Sequence, residues 1–199
     1  MTYWRFPNPK SYTVGPPERS NTLRLTPSRL NLTGLTGNYA GPEGQTFVGR
    51  RQQETFFTFD VDMYFFPEKK ETEAEAGVSV FLTQNHHLDL GVVMLPANST
   101  TAASNNPSSA DNADVGAGEL IPHFRFRGIS YVDVPADVVV PVPEEWRDKA
   151  IRLQIRANET HYDFSATVAG TRGQTKRIIE VSNEPVSWGF TGKLRAFAS

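Results

Sequence analysis

Residues 55–65 read TFFTFDVDMYF, and the side chains sort onto two sides. Phe57, Phe59, Val61, Met63 and Phe65 share one, and Phe56, Thr58, Asp60, Asp62 and Tyr64 share the other. That is the period-two signature of an antiparallel strand with one buried face. The rhythm returns along most of the chain. Val78, Val80 and Leu82 alternate in 77–83, and Leu88, Leu90 and Val92 oppose Asp89 in 87–94. In 123–129, Phe124 and Phe126 oppose His123, Arg125 and Arg127. Residues 151–157 and 161–168 repeat the pattern, and shorter runs lie at 22–25, 47–51 and 192–198. Helical periodicity of useful length competes nowhere. The pattern predicts an all-β fold, a two-layer antiparallel β-sandwich or jelly roll.

The intervening segments divide the chain. Residues 1–20, with Gly15-Pro16-Pro17, read as an extended connector lying on a surface, and 21–199 as the sandwich domain. Tyr3, Trp4 and Phe6 are costly to leave in water and imply a docking surface on this domain or a neighbour. Residues 68–75, EKKETEAE, read as a solvated charged turn between two hairpin strands. Residues 97–118 are of low complexity and predict a disordered surface excursion. Pro141-Val142-Pro143 marks an edge strand or a turn.

At 199 residues, one domain can bury a core without staples. The absence of cysteine removes disulfides and thiol chemistry. Net charge is −2 with dispersed Lys and Arg, which argues against a nucleic-acid partner or an anionic membrane. No apolar run approaches a membrane span. Sequons at Asn31, Asn98 and Asn158 weakly favour secretion. The N-terminus has no apolar leader, which suggests a chain separated from something longer.

Candidate chemistry is sparse. Asp60 and Asp62 share a strand face roughly 7 Å apart, within the spacing of glycosidase carboxylates, but they lie on a polar face and read as solvated. Glu144 and Glu145 sit in a turn. His86, His87 and Asp89 invite a metal, yet adjacent strand residues point to opposite faces and cannot share one ion without a bend. No nucleophile elbow and no phosphate-cradling glycine loop is present. Sugar platforms require aromatic faces, and Trp146, Tyr162, Trp188 and Phe190 are the candidates, Tyr162 reading as core.

Four segments together carry a resemblance: FVGRRQQETFFTFDVDMYFFP, EAGVSVFLTQNHHLDLGVVML, AIRLQIRANETHYDFSA and GFTGKLRAFAS. They resemble the C-terminal concanavalin A-like sandwich of glycoside hydrolase family 43, the β-xylosidases and α-arabinofuranosidases. WRFPNPKSYTVGPPERSNTLRLTPS resembles the connector that joins the catalytic propeller to that sandwich in fungal members. Within these segments, an inward member of the Arg50-Arg51 pair would need a carboxylate or carbonyl partners. Gly77 suits a close approach of two backbones. Gly189 and Gly192 bracket Phe190 in a tight turn.

The resemblance implies a non-catalytic accessory domain that packs on a catalytic propeller and lends Phe190 to the substrate entrance. The implied parent acts on xylan or arabinoxylan side chains, or on xylo-oligosaccharides. The implied partners are that propeller and an oligosaccharide. No cofactor is implied, and a structural calcium ion is left open. Family members usually continue into another aromatic strand, so an end at Ser199 predicts an open sheet edge. The alternative is a free-standing carbohydrate-binding module with Trp146 and Trp188 as its platform. An independent hydrolase would need closely spaced acids on a concave sheet face, and no strand offers them.

Overall fold

A computed structural model of the chain describes residues 8–34, 44–67, 73–100, 119–171, 173–187 and 194–198, the last five as backbone. The strands are β1 (Tyr12–Val14), β2 (Leu23–Leu25), β3 (Phe47–Arg51), β4 (Phe57–Met63), β5 (Glu75–Thr83) and β6 (His86–Pro96). They continue as β7 (Leu120–Ile129), β8 (Val138–Pro141), β9 (Ile151–Ala157), β10 (His161–Val168), β11 (Lys176–Ser182) and β12 (Leu194–Ala198). A four-stranded sheet runs β11-β10-β9-β4, and a six-stranded sheet runs β3-β12-β5-β6-β7-β8. The ladders are antiparallel throughout.

The core forms where the apolar faces of the two sheets meet. The four-stranded sheet brings Leu153, Ile155, Tyr162 and Phe164, with Phe57, Phe59, Val61 and Met63 packed beside them. The six-stranded sheet brings Val78, Val80, Leu88, Leu90, Phe124 and Phe126. Phe126 and Phe164 meet edge to face across the layers, with centroids 5.3 Å apart.

Three expectations change. The charged segment 68–75 does not turn a hairpin, because β4 and β5 belong to different sheets. Its last residue, Glu75, opens β5 and is largely withdrawn from water. The last strand leaves no open edge of its own, since β12 pairs with β3 on one side and β5 on the other. The six-stranded sheet instead ends at β3 and β8, and Arg50 and Arg51 are both exposed on the β3 edge. Finally, Tyr12–Val14 pairs with Leu23–Leu25 across the connector boundary expected at residue 20. Residues 101–118 of the low-complexity segment, and Tyr3, Trp4 and Phe6, lie outside the described residues.

Two further strands escape the sequence pattern for identifiable reasons. In β8, Val138 and Val140 face the main core while Val139 joins Val93 and Leu95 in a second apolar cluster, so the alternation disappears. In β11 the register against β10 slips between Phe164 and Ser165, and Ile178 and Ile179 both pack on the core. A bulge of this kind interrupts period two.

Candidate functional site

The outward face of the six-stranded sheet carries the polar alternates of β5, β6 and β7. In an ordinary half-solvated sheet they would point into water. Here His87 and His123 are 2% and 0% exposed, and Arg125 is 9% exposed. A cavity of about 830 Å³ lies over this face, between the strands and residues 27–33. Gln45 and Thr46, just before β3, pin that covering segment. Gln45 Nε2 donates to the carbonyls of Asn31 and Leu32 at 2.7 and 2.8 Å. Thr46 Oγ1 donates to the Thr26 carbonyl at 2.7 Å. The Tyr12 hydroxyl donates to the Phe47 carbonyl and accepts from its N–H, which ties the β1–β2 hairpin to the same place.

Two clusters of charge stand in the cavity wall. In the first, Arg125 donates from Nε to Glu75 Oε1 at 3.2 Å and from Nη2 to Oε2 at 2.6 Å. Arg127 Nη2 adds a bond to Oε2 at 2.7 Å. Desolvation works against the Arg125 cation, but the Glu75 bonds and charge, with Glu73 and Asp137 behind them, hold its pKa above the ordinary value. In the second cluster, Ser79 Oγ donates to Asp89 Oδ1 at 2.5 Å and His87 Nδ1 lies 2.8 Å from Oδ2. A carboxylate only accepts, so Nδ1 carries the proton. The His87 ring also stacks on Phe81, with centroids 5.8 Å apart.

Glycine makes room for this arrangement. A Cβ on Gly91 would stand 2.7 Å from Glu75 Oε1, so a bare backbone is what lets the carboxylate lie across β6. A Cβ on Gly77 would meet the Leu90 carbonyl oxygen at 2.2 Å, the close backbone approach that its place in the sequence suggests. Loss of water raises the Asp137 carboxyl above 3.8, Arg127 and Arg125 pull it down, and Glu75 and Asp89 push it up again. Asp137 keeps much of its surface in water.

Further along β7, burial pushes the His123 imidazole below its ordinary 6.5. The Ile121 carbonyl, 2.9 Å from Nδ1, pulls the other way, and Arg147 adds to the lowering. The folded state therefore keeps His123 neutral where the unfolded chain begins to take up a proton. The stability that this provides is fully present above about pH 6.5 and falls as pH drops toward the folded pKa. Urea midpoints measured from pH 8 to pH 5 are expected to decline below that point. A His123→Gln variant, weaker overall, should show a flatter decline.

Asp60, Asp62 and Tyr162 stand where the sequence reading puts them. Asp62 takes two bonds from Arg152 opposite it on β9, at 2.6 and 2.8 Å, and this pair lowers its carboxyl below 3.8. Asp60 stands 3.7 Å from the same guanidinium, and both acids are exposed, an ordinary cross-strand pairing. Tyr162 is core, at 1% exposure. Trp146, closing a 3₁₀ turn (Glu144–Trp146), packs on the core with its ring edge-on to Phe124. Trp188 and Phe190 lie outside the described residues.

His86 and His87 diverge. His86 Nδ1 contacts Ser130 Oγ and the Pro185 carbonyl, whereas His87 turns to Asp89. No group of three or more His, Cys, Asp or Glu able to hold a metal occurs among the described residues. The sequence reading missed Glu75, Ser79, Arg125 and Arg127 as a unit. Its available signal was opposite charge on the non-core positions of neighbouring strands.

The family described as the β-xylosidase C-terminal concanavalin A-like domain matches residues 6–197. The chain belongs to this family. Solved structures similar to this domain include Bacteroides ovatus xyloglucan PUL GH43B, with 21% identity and TM-score 0.63. That match covers 96% of the domain and 31% of the other chain. Xylan β-1,4-xylosidase from Bacillus halodurans C-125 matches with 18% identity, TM-score 0.62 and the same coverages. A variant of the GH43 protein BlXynB from Bacillus licheniformis matches with 15% identity and TM-score 0.64, over 98% of the domain and 32% of that chain. At these identities the likeness shows the sandwich fold. The domain spans about a third of the length of these proteins. No curated protein matches it.

Proposed function

We propose that this domain is the non-catalytic companion of a family 43 catalytic propeller, packing on it and lending Phe190 to the rim of its substrate entrance. The observation that carries the reading is the match over 6–197 to a family described as a C-terminal domain. The acids described above support it. Asp62 is held by Arg152, Glu75 by two arginines, and Asp89 by Ser79 and His87. None of these three stands free as the general acid that glycoside hydrolysis requires. By analogy with the xylan β-1,4-xylosidase named above and with the family match, the parent's substrate is xylan or arabinoxylan side chains or xylo-oligosaccharides.

The test is hydrolysis of aryl β-xyloside and aryl α-arabinofuranoside by the chain alone and after mixing with a family 43 propeller domain. The expected result is no turnover alone and a gain on mixing. Phe190→Ala should then lower kcat/KM about tenfold, the scale of one lost aromatic contact. Turnover by the chain alone would overturn the reading.

A further inference from the structure

We propose that the groove over the outer face of the six-stranded sheet binds a short, uncharged oligosaccharide through Asp89 and Arg127. Its size falls within the range of small-ligand pockets, at about 830 Å³. Its charge sets the ligand class. Arg29, Arg125 and Arg127 line it together with Glu73, Glu75 and Asp89, so three cations face three anions. Such a wall offers neither the positive field that would draw a phosphate or uronate nor the negative field that would draw a cation.

What the wall does offer is fixed donors beside fixed acceptors. The bonds from Ser79 and His87 each take one lone-pair site on the Asp89 carboxylate, which has about four. Arg127 gives one of its five N–H groups to Glu75, and its side chain is 32% exposed. A sugar hydroxyl donates and accepts at once, so vicinal hydroxyls can bridge a carboxylate and a guanidinium without adding charge. Arg125 and His87 act as positioning residues. Arg125 fixes Glu75, which fixes Arg127, and His87 orients Asp89. The apolar surfaces of Leu30, Leu32 and Ile129 line the same groove and suit the C–H faces of a pyranose.

The groove inference stands apart from the propeller reading; only the choice of xylose-based probes rests on that reading. The experiment is a titration of the isotopically labelled 199-residue chain with xylotetraose, cellotetraose and tetragalacturonate, followed by amide shifts. Saturable shifts on β5, β6 and β7 with a neutral sugar are the expected result, weakened at least tenfold in both Asp89→Asn and Arg127→Met. Thermal melts of each variant establish that it is folded. Binding of cellotetraose but not xylotetraose supports the groove and counts against a xylan-directed parent. A preference for tetragalacturonate, shifts that map elsewhere, shifts retained in folded variants, or no shift with any probe at 10-fold excess over 1 mM would each overturn the proposal.

Discussion

Glu75→Ala is expected to lower the free energy of unfolding by about 3–5 kcal/mol, the scale on which breaking a buried ion pair destabilises a protein. The carboxylate joins Arg125 and Arg127 and lies largely out of water, at 18% side-chain exposure. Removing it leaves Arg125, 9% exposed, with Glu73 at 3.7 Å and the more weakly acting Asp137, and sets two guanidiniums side by side. Glu73→Ala, at 65% side-chain exposure, should change stability by less than about 1 kcal/mol. Urea denaturation of both variants measures the difference. The paired replacement Glu75→Leu with Arg125→Leu should recover much of the loss, because an apolar pair leaves no buried charge unanswered. A Glu75→Ala variant as stable as the parent would show the network to be open to water.

Phe164→Ala is expected to cost about 3–5 kcal/mol, through lost burial and the cavity left behind. Phe164 is fully buried, and its ring meets Phe126 across the two sheets, so neither layer can close the gap without moving the other. Phe56→Ala is the contrast. Phe56, in the bend just before β4, is 64% exposed, and its loss should fall within about 0.5 kcal/mol. Similar urea midpoints for the two would contradict the packing described for the interior.

These pairs also show what was legible in the chain before its structure. Phe57 to Met63 alternates half-buried and exposed as the sequence pattern requires, because β4 has one face on the core and one in water. The same logic places Tyr162 and Phe164 inside. It fails where a strand has two dry faces, as at Val138–Val140, or a bulge, as at Ile178–Ile179.

The groove was hidden for a related reason. Arg125, Arg127 and Asp89 look like a solvent face in the sequence, yet they line a groove together with the covering segment 27–33. Glu75 sits in a run of charges that reads as a loop. Its partners are 50 and 52 residues away, a distance no local pattern reports.

The place of β12 bears on how the protein is made. Residues 194–198 fill the slot between β3 and β5, strands that emerge from the ribosome more than a hundred residues earlier. Until they arrive, β3 has no neighbour to hold it to the rest of its sheet, and β5 presents an unpaired backbone edge. Nascent chains therefore carry an adhesive slot while residues 84–193 are being added. Closing it is a long-range, slow step. Shielding by a chaperone during that interval, more than the strength of the finished interior, would then govern how much of the protein reaches its native state.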